Sequence, residues 1–192
     1  GACSSAPGTQ GPGSSRVTPS PGGSSPAEIA SPAATATTQG SAGPSNAPLS
    51  SDPLHALELV DVASGERFTI GQLAASQPVL LETMAIWCSN CRAQMHNVVA
   101  AHNQASFHSI SLDVDPTEQP GDLAAYAQRE GFDWRFAMAD AELLATLRDR
   151  FGTAIAAPPG MPKVLFRTDG SIELIGLGEL YSAEQVAQAV GG

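Results

Sequence analysis

All ten aromatic residues of this 192-residue chain follow position 50. Ser, Ala, Gly, Pro and Thr fill 41 of the first 50 positions, where the only charged residues are Arg16 and Glu28. Such a stretch cannot bury enough apolar surface to offset the entropy cost of ordering its backbone, so we expect it to be disordered. The remaining residues suffice for one ordinary core. The sequence therefore predicts a tether at residues 1–50 and one folded domain at residues 51–192.

The formal charge of −10 belongs wholly to the second part, which holds 18 acidic and 8 basic side chains. A domain this acidic repels phosphate backbones, which argues against a nucleic-acid partner. The chain has no basic amphipathic stretch for a membrane surface, and no apolar run approaches the ~18 residues of a membrane-spanning helix. We therefore expect a soluble domain.

Hydrophobic periodicity and turn residues predict an alternation of strands and helices. The strands are expected at 57–60, 66–69, 78–85, 107–114, 132–139, 163–166 and 171–176, and the helices at about 91–103, 121–130, 141–151 and from 182 onward. This pattern, closed by a hairpin, predicts an α/β sandwich with one mixed sheet covered by helices on both faces.

Cys88 and Cys91 form a C-x-x-C pair where the apolar run at 78–85 meets a helix. Three interpretations are open: half a zinc site, a structural disulfide or a redox pair. Structural zinc needs four ligands, and no second pair of suitable residues follows. A disulfide that closes two intervening residues constrains little of the unfolded chain. A helix N-terminus stabilises a thiolate and lowers the pKa of such a thiol to about 3.5–7.5. The pattern therefore favours the redox pair.

The motif Trp-Cys-Ser-Asn-Cys at 87–91 resembles the active-site motif of the thioredoxin superfamily. The N-terminal hairpin, a helix-containing insert at about 116–136 and Gly-Met-Pro at 160–162 resemble the TlpA/ResA branch, over about residues 55–190. That branch contains membrane-tethered thiol-disulfide oxidoreductases outside the cytoplasm. The resemblance implies a thioredoxin-like sandwich with the N-terminal hairpin and the insert added to it.

The resemblance also implies roles for individual residues. Cys88 is the nucleophile that forms a mixed disulfide with the substrate, and Cys91 resolves it. Pro162 matches the family's cis-proline, which turns the backbone of Met161 toward the cysteines to pair with an extended substrate. An ordinary trans loop proline is the alternative. Trp87 supplies a large apolar flank for the substrate.

The expected reaction is two-electron exchange with protein thiols and disulfides, with no organic cofactor or metal. The expected partners are substrate proteins and a membrane electron donor, and the expected oligomeric state is a monomer. The family resemblance favours a reductive role, such as preparing the cysteines of apocytochrome c or of copper sites, although oxidising relatives exist.

Glu82 lies six residues before Cys88, where thioredoxin itself has a buried acid and TlpA-like proteins often do not. Burial in a sheet raises the pKa of a carboxyl group, which would let Glu82 exchange a proton with Cys91. The alternative is a strand residue that reaches solvent or pairs with an arginine.

Gly1-Ala2-Cys3 resembles the end of a bacterial lipobox, in which the cysteine becomes lipid-modified. Cys3 would then anchor the protein to the outer side of a membrane through a tether of roughly 35–40 Å. The alternative is an incidental cysteine after a cloning remnant.

A rival function from another class is a Cu(I) metallochaperone that holds the ion with Cys88, Cys91 and His96. A dedicated copper carrier normally has more Met or His ligands near the pair, and here only Met95, Met161 and His96 are candidates.

Overall fold

The computed structural model describes residues 51–192, so the interpretations of residues 1–50 and of Cys3 lie outside the described residues. The domain begins with a short helix α1 (Pro53–Ala56), the strands β1 (Glu58–Val60) and β2 (Arg67–Thr69), and a second short helix α2 (Ile70–Ala74). The two strands pair antiparallel, which confirms the predicted hairpin. Asp61 stabilises its turn by accepting hydrogen bonds from Ser64 N and Oγ at 2.9 and 2.6 Å.

The main sheet and its helices occupy the rest of the described chain. Its elements are β3 (Val79–Met84), α3 (Ser89–Ala101), β4 (His108–Asp113), α4 (Pro120–Glu130), β5 (Arg135–Met138), α5 (Ala141–Phe151), β6 (Lys163–Phe166), β7 (Ile172–Gly176) and α6 (Ala183–Gly191). Two 3₁₀ turns, Thr153–Ala156 and Pro158–Gly160, connect α5 to β6. The strand order is β5-β4-β3-β6-β7. The strands β3, β4 and β5 run parallel, whereas β6 and β7 pair antiparallel, so the predicted mixed sheet is confirmed.

The central strand β3 is buried along its whole length because both faces of the sheet are covered. Leu80 packs with Val98 of α3 and Val186 of α6, whereas Leu81 packs on the other face with Leu143 of α5. Side chains alternate between the faces of a strand, so Glu82 lies on the same face as Leu80 and Met84. The sheet therefore directs this one acid of β3 toward α3.

The helices begin and end at the residues that local chemistry favours. Asp140 accepts a hydrogen bond from Leu143 N at 2.8 Å at the start of α5, and Ser182 forms a capping box with Gln185 at the start of α6. Gly131 ends α4 with φ of 76°, a left-handed conformation that glycine adopts without steric cost. No helix within residues 51–192 is long and apolar enough to span a membrane.

Candidate active site

Cys88 and Cys91 form a disulfide at the N-terminus of α3, with their Cα atoms 5.3 Å apart. Cys88 is the N-cap residue of this helix, and its Sγ accepts a hydrogen bond from Cys91 N at 3.1 Å. When the pair is reduced, the same N–H and the helix dipole stabilise a negative charge on Cys88 Sγ. Each cysteine is only 3% exposed, so a partner reaches a small area of the pair.

The segment at 158–162 covers the second cysteine. Cys91 Sγ lies 3.0 Å from the Pro158 carbonyl oxygen, so a Cys91 thiol has an acceptor there in the reduced protein. Pro162 is next to β3, because its carbonyl oxygen accepts a hydrogen bond from Thr83 N at 3.4 Å. Met161 is the only non-glycine residue in the described chain with a positive φ, at 46°. A bulky residue keeps this strained conformation only where its surroundings hold it.

Both backbone polar groups of Met161 already have partners within the chain. Its N–H donates to the Pro158 carbonyl oxygen at 2.8 Å, and its carbonyl oxygen accepts from Lys163 Nζ at 2.8 Å. A carbonyl oxygen has two lone pairs, so Met161 O can still accept a hydrogen bond from a substrate, whereas its N–H is already used.

Glu82 is buried beneath the disulfide, at 6% exposure. Burial raises its pKa from 4.5 to about 7, although the charge of Lys163 and the Gln94 side chain both act to lower it. Its Oε1 has no hydrogen-bond partner among the described residues. Glu82 and Cys91 are both among the residues that line one small cavity of about 10 Å³, so the acid and the second cysteine lie close together on the same side of the sheet.

Lys163 is completely buried beside Glu82, which is its cross-strand neighbour in the β3–β6 register. Its Nζ donates to two carbonyl oxygens, Met161 O at 2.8 Å and Glu179 O at 2.7 Å, and lies 4.8 Å from the centre of the Tyr181 ring. Burial lowers the pKa of Lys163, while the charges of Glu82 and Glu179 raise it. Such a buried amine is stabilised by its hydrogen bonds and its acidic neighbour.

Carboxyl groups from the segment after β4 hold the loop that precedes Cys88. Both carboxylate oxygens of Glu118 accept a hydrogen bond from Ile86 N, at 2.9 and 3.0 Å. Asp115 accepts one from Trp87 Nε1 at 2.7 Å, a bond that lowers the pKa of Asp115. Burial raises the pKa of the neighbouring Asp113, and Glu118 raises it further. The helix-containing insert thus fixes the chain at the entrance to the disulfide.

Three large apolar side chains are exposed on segments next to the disulfide. Trp87 is 59% exposed, and Leu177 and Leu180 belong to the loop between β7 and α6, where they are 43% and 51% exposed. This loop rests on the 158–162 segment, since Gly178 N donates to the Gly160 carbonyl oxygen. An apolar surface beside a redox pair suits contact with an unfolded or extended protein segment.

The structure brings together Cys88, Cys91, Glu82, Met161 and Pro162, with Trp87 at the edge. The copper hypothesis gains no support, because His96 contacts Glu130 at 3.6 Å and no three His, Cys, Asp or Glu side chains within residues 51–192 are grouped so that they could hold a metal ion. A groove of about 820 Å³ between the hairpin and α4 does not include the cysteines.

Sequence reasoning missed several residues of the site: Lys163, Gln94, Asp113, Asp115 and Glu118. For Lys163 a signal was present, because a single lysine opens an apolar strand directly after a proline. Its place opposite Glu82 depends on a register that joins residues 81 positions apart. The acid cluster had no comparable signal, since charged residues after a strand are ordinary loop composition.

The strand order and the disulfide at the start of α3 define a thioredoxin-fold protein with a C-x-x-C disulfide. No protein-family model matches the chain, and none of the curated proteins compared with it matches in sequence. Its similarity to known proteins lies in the fold.

Several solved structures share that fold over most of their own length. One is a secreted Mycobacterium tuberculosis disulfide oxidoreductase homologous to E. coli DsbE, with 18% identity and a TM-score of 0.56, covering 73% of this chain and 98% of that one. A thioredoxin-family thiol:disulfide interchange protein from Chlorobium tepidum has 20% identity and a TM-score of 0.51, covering 70% and 90%. A SCO1/SenC family lipoprotein from Bacillus anthracis has 16% identity and a TM-score of 0.52, also covering 70% and 90%.

Proposed function

We propose that this protein is a thiol-disulfide oxidoreductase that exchanges two electrons with protein thiols and disulfides through Cys88 and Cys91. The observation that carries the proposal is the disulfide at the N-terminus of α3, above the buried Glu82. The names of the structural neighbours from Mycobacterium tuberculosis and Chlorobium tepidum, a disulfide oxidoreductase and a thiol:disulfide interchange protein, support the same chemistry.

In the reductive direction, the Cys88 thiolate attacks one sulfur of a substrate disulfide and forms a mixed disulfide, and the other substrate sulfur leaves and takes up a proton. The Cys91 sulfur then loses its proton and attacks Cys88 Sγ. This step releases the second substrate thiol and closes the Cys88–Cys91 disulfide. Two electrons pass to the substrate, and a reductant, which we propose to be a membrane electron donor, restores the dithiol.

Glu82 is the proposed base for the second step. Its pKa of about 7 lets it accept a proton near neutral pH, and it borders the same cavity as Cys91. Glu82→Gln keeps the shape of the side chain but removes the exchangeable proton, so it should slow resolution of the mixed disulfide near neutral pH. An unchanged pH–rate profile in this variant would remove Glu82 from the mechanism.

The reaction is tested by trapping its intermediate. In Cys91→Ser the mixed disulfide forms but is not resolved, so this variant should accumulate a covalent adduct with a protein disulfide such as insulin. Both variants carry Cys3→Ser, so that this third thiol cannot form an adduct of its own. Cys88→Ser should then form none, and the unmodified protein should reduce insulin with dithiothreitol as the electron source. A Cys91→Ser protein that forms no adduct would refute the assignment of Cys88 as nucleophile.

We propose a reductive direction, which the reduction potential of the pair tests. A value around −270 mV, as in thioredoxin, supports a reductase, whereas one around −120 mV identifies an oxidant. We also propose an extracytoplasmic location with a lipid anchor at Cys3, which fits the Gly1-Ala2-Cys3 sequence; the structural neighbour from Bacillus anthracis is a lipoprotein. Mass spectrometry of the native protein tests it, since an unmodified Cys3 would exclude the anchor.

A further inference from the structure

Lys163 connects two loops that flank the disulfide. Its Nζ donates to Met161 O in the 158–162 segment and to Glu179 O in the loop between β7 and α6. A lysine ammonium group has three protons to donate, and these two bonds use two of them. Since the side chain is completely buried, water does not replace a bond that is lost.

The two loops also contact each other and α3. Gly178 N donates to the Gly160 carbonyl oxygen. Further along the second loop, Tyr181 N donates to Gln94 Oε1 at 2.7 Å, and Tyr181 O accepts from Asn97 Nδ2 at 2.8 Å. The end of this loop is therefore attached to α3, whereas its middle is attached only through Lys163 and Gly178 among the described hydrogen bonds. Leu177 and Leu180, the exposed apolar residues, lie in this middle part.

The charge that faces Lys163 from β3 is Glu82. The other titratable groups around this pair are Cys91 on α3, which lines the cavity with Glu82, and Glu179 and Tyr181 in the β7–α6 loop. Glu82 Oε1 has no hydrogen-bond partner, and Lys163 Nζ has one proton left to donate. No hydrogen bond joins these two groups in the structure, so an ionised Glu82 binds this third proton only if Nζ moves toward β3 and away from the two loop carbonyls.

We propose that Lys163 is a positioning residue that holds both loops in place for an extended cysteine-containing segment of a protein substrate. Ionisation of Glu82 draws the Lys163 ammonium group away from the two loop carbonyls. While Glu82 is neutral, Nζ holds the strained Met161 and the Leu177–Leu180 surface in a preorganised arrangement. When Glu82 is ionised, Nζ moves toward the carboxylate and both loops loosen. The inference rests on the proposed oxidoreductase function, and it adds that recognition of protein substrates weakens as pH rises through about 7.

The kinetic test compares a protein disulfide, insulin, with the small disulfide 5,5′-dithiobis(2-nitrobenzoate). The full chain is reduced beforehand and separated from dithiothreitol, because that reductant itself cleaves the small disulfide, and single turnovers are followed at several substrate concentrations. The small compound does not need the loops. Lys163→Met should lower the ratio of the second-order rate constant for insulin to that for the small disulfide by about tenfold at pH 6, through weaker binding of insulin, because a charged hydrogen bond to each loop is lost. Lys163→Arg should restore part of the ratio, and the exposed Arg148→Met on α5 should leave it unchanged. Equal losses for both disulfides would indicate a merely structural role and overturn the proposal.

A second measurement does not depend on activity or on the folding of Lys163→Met. The ¹³C chemical shifts of the Met161 and Glu179 carbonyl groups should titrate together with a midpoint near pH 7 in the unmodified protein and stay flat in Glu82→Gln. Carbonyls that do not titrate, or that titrate equally in Glu82→Gln, would overturn the coupling. If neither disulfide is reduced by any of these proteins, the proposed function fails, while the carbonyl titration still decides the role of Lys163.

Discussion

At the scale of single residues, the site depends on one buried acid and one buried base placed opposite each other in neighbouring strands. Neither Glu82 nor Lys163 is solvated. The charge of Lys163 lowers the pKa of Glu82, and the charge of Glu82 raises the pKa of Lys163, so each favours the charged form of the other, whereas burial favours the neutral forms. Because burial has the larger effect on Glu82, its proton is held through most of the acidic range. A group that exchanges a proton near neutral pH is what a thiol-disulfide exchange step requires.

The raised pKa of Glu82 also makes a prediction about stability. Between its ordinary pKa of 4.5 and its folded pKa of about 7, the folded chain keeps a proton that the unfolded chain releases. This retained proton therefore stabilises the folded chain fully below pH 4.5. The stabilisation is lost as pH rises to 7, which lowers the free energy of unfolding by on the order of 3 kcal/mol. Glu82→Gln removes this titration.

Urea unfolding at pH 4.5, 6 and 8 measures the effect as the difference between the unmodified protein and Glu82→Gln. That difference should move in favour of the variant as pH rises, whatever its value at pH 4.5. Asp113 also has a raised pKa but is present in both proteins, so its titration cancels from the difference. A difference that stays constant across this range would show that Glu82 does not titrate as described.

At the scale of structural elements, the loop between β3 and α3 is fixed by the segment that follows β4. Glu118 binds Ile86 N with both oxygens, two residues before the nucleophile. Glu118→Ala should lower the free energy of local opening at the Ile86 amide by about 1–3 kcal/mol, because this hydrogen bond has a charged acceptor. The exchange rate of the Ile86 amide hydrogen should therefore rise at least several-fold.

Hydrogen exchange followed by NMR measures that rate directly. Glu142→Ala is a matched control, because Glu142 is exposed on α5, on the other face of the sheet. The Arg92 amide, which donates to the Cys88 carbonyl oxygen at 3.1 Å, reports on α3 in the same spectra. An Ile86 amide that exchanges no faster in Glu118→Ala would refute the idea that Glu118 positions this loop.

The elements that the sequence predicts well are those whose signals are local. Asp140 and Gly152 flank α5, and the Thr-Asp-Gly turn at 168–170 lies between the two strands of the last hairpin. The ends of α5 and the position of this hairpin can therefore be predicted to within a few residues. The buried Gln94 is different, since its partner Tyr181 N lies 87 positions along the chain. The short helices α1 and α2 were also missed. Local patterns thus locate the disulfide and its acid, whereas the long-range contacts around them emerge only from the fold.

At the scale of the whole molecule, folding and redox state are linked through a thermodynamic cycle. If the folded domain favours the disulfide, its reduction potential is lower than that of the same cysteines in the unfolded chain, and the oxidised protein is the more stable form. If the folded domain favours the dithiol, both relations reverse, and for this two-electron couple 30 mV corresponds to about 1.4 kcal/mol. Stability measurements therefore report on the direction of electron transfer.

The reductive direction proposed for this protein predicts that the oxidised form unfolds with the larger free energy. The loop closed by the disulfide spans only four residues, so the chain-entropy contribution is about 2 kcal/mol, and we expect a difference of that order. Urea unfolding with and without dithiothreitol measures it. The Cys88→Ser, Cys91→Ser double variant is the control, because it keeps Cys3 and should unfold identically in both conditions. A reduced form that is more stable than the oxidised one would instead identify an oxidant, whose strain on the disulfide is released when it accepts electrons from a substrate.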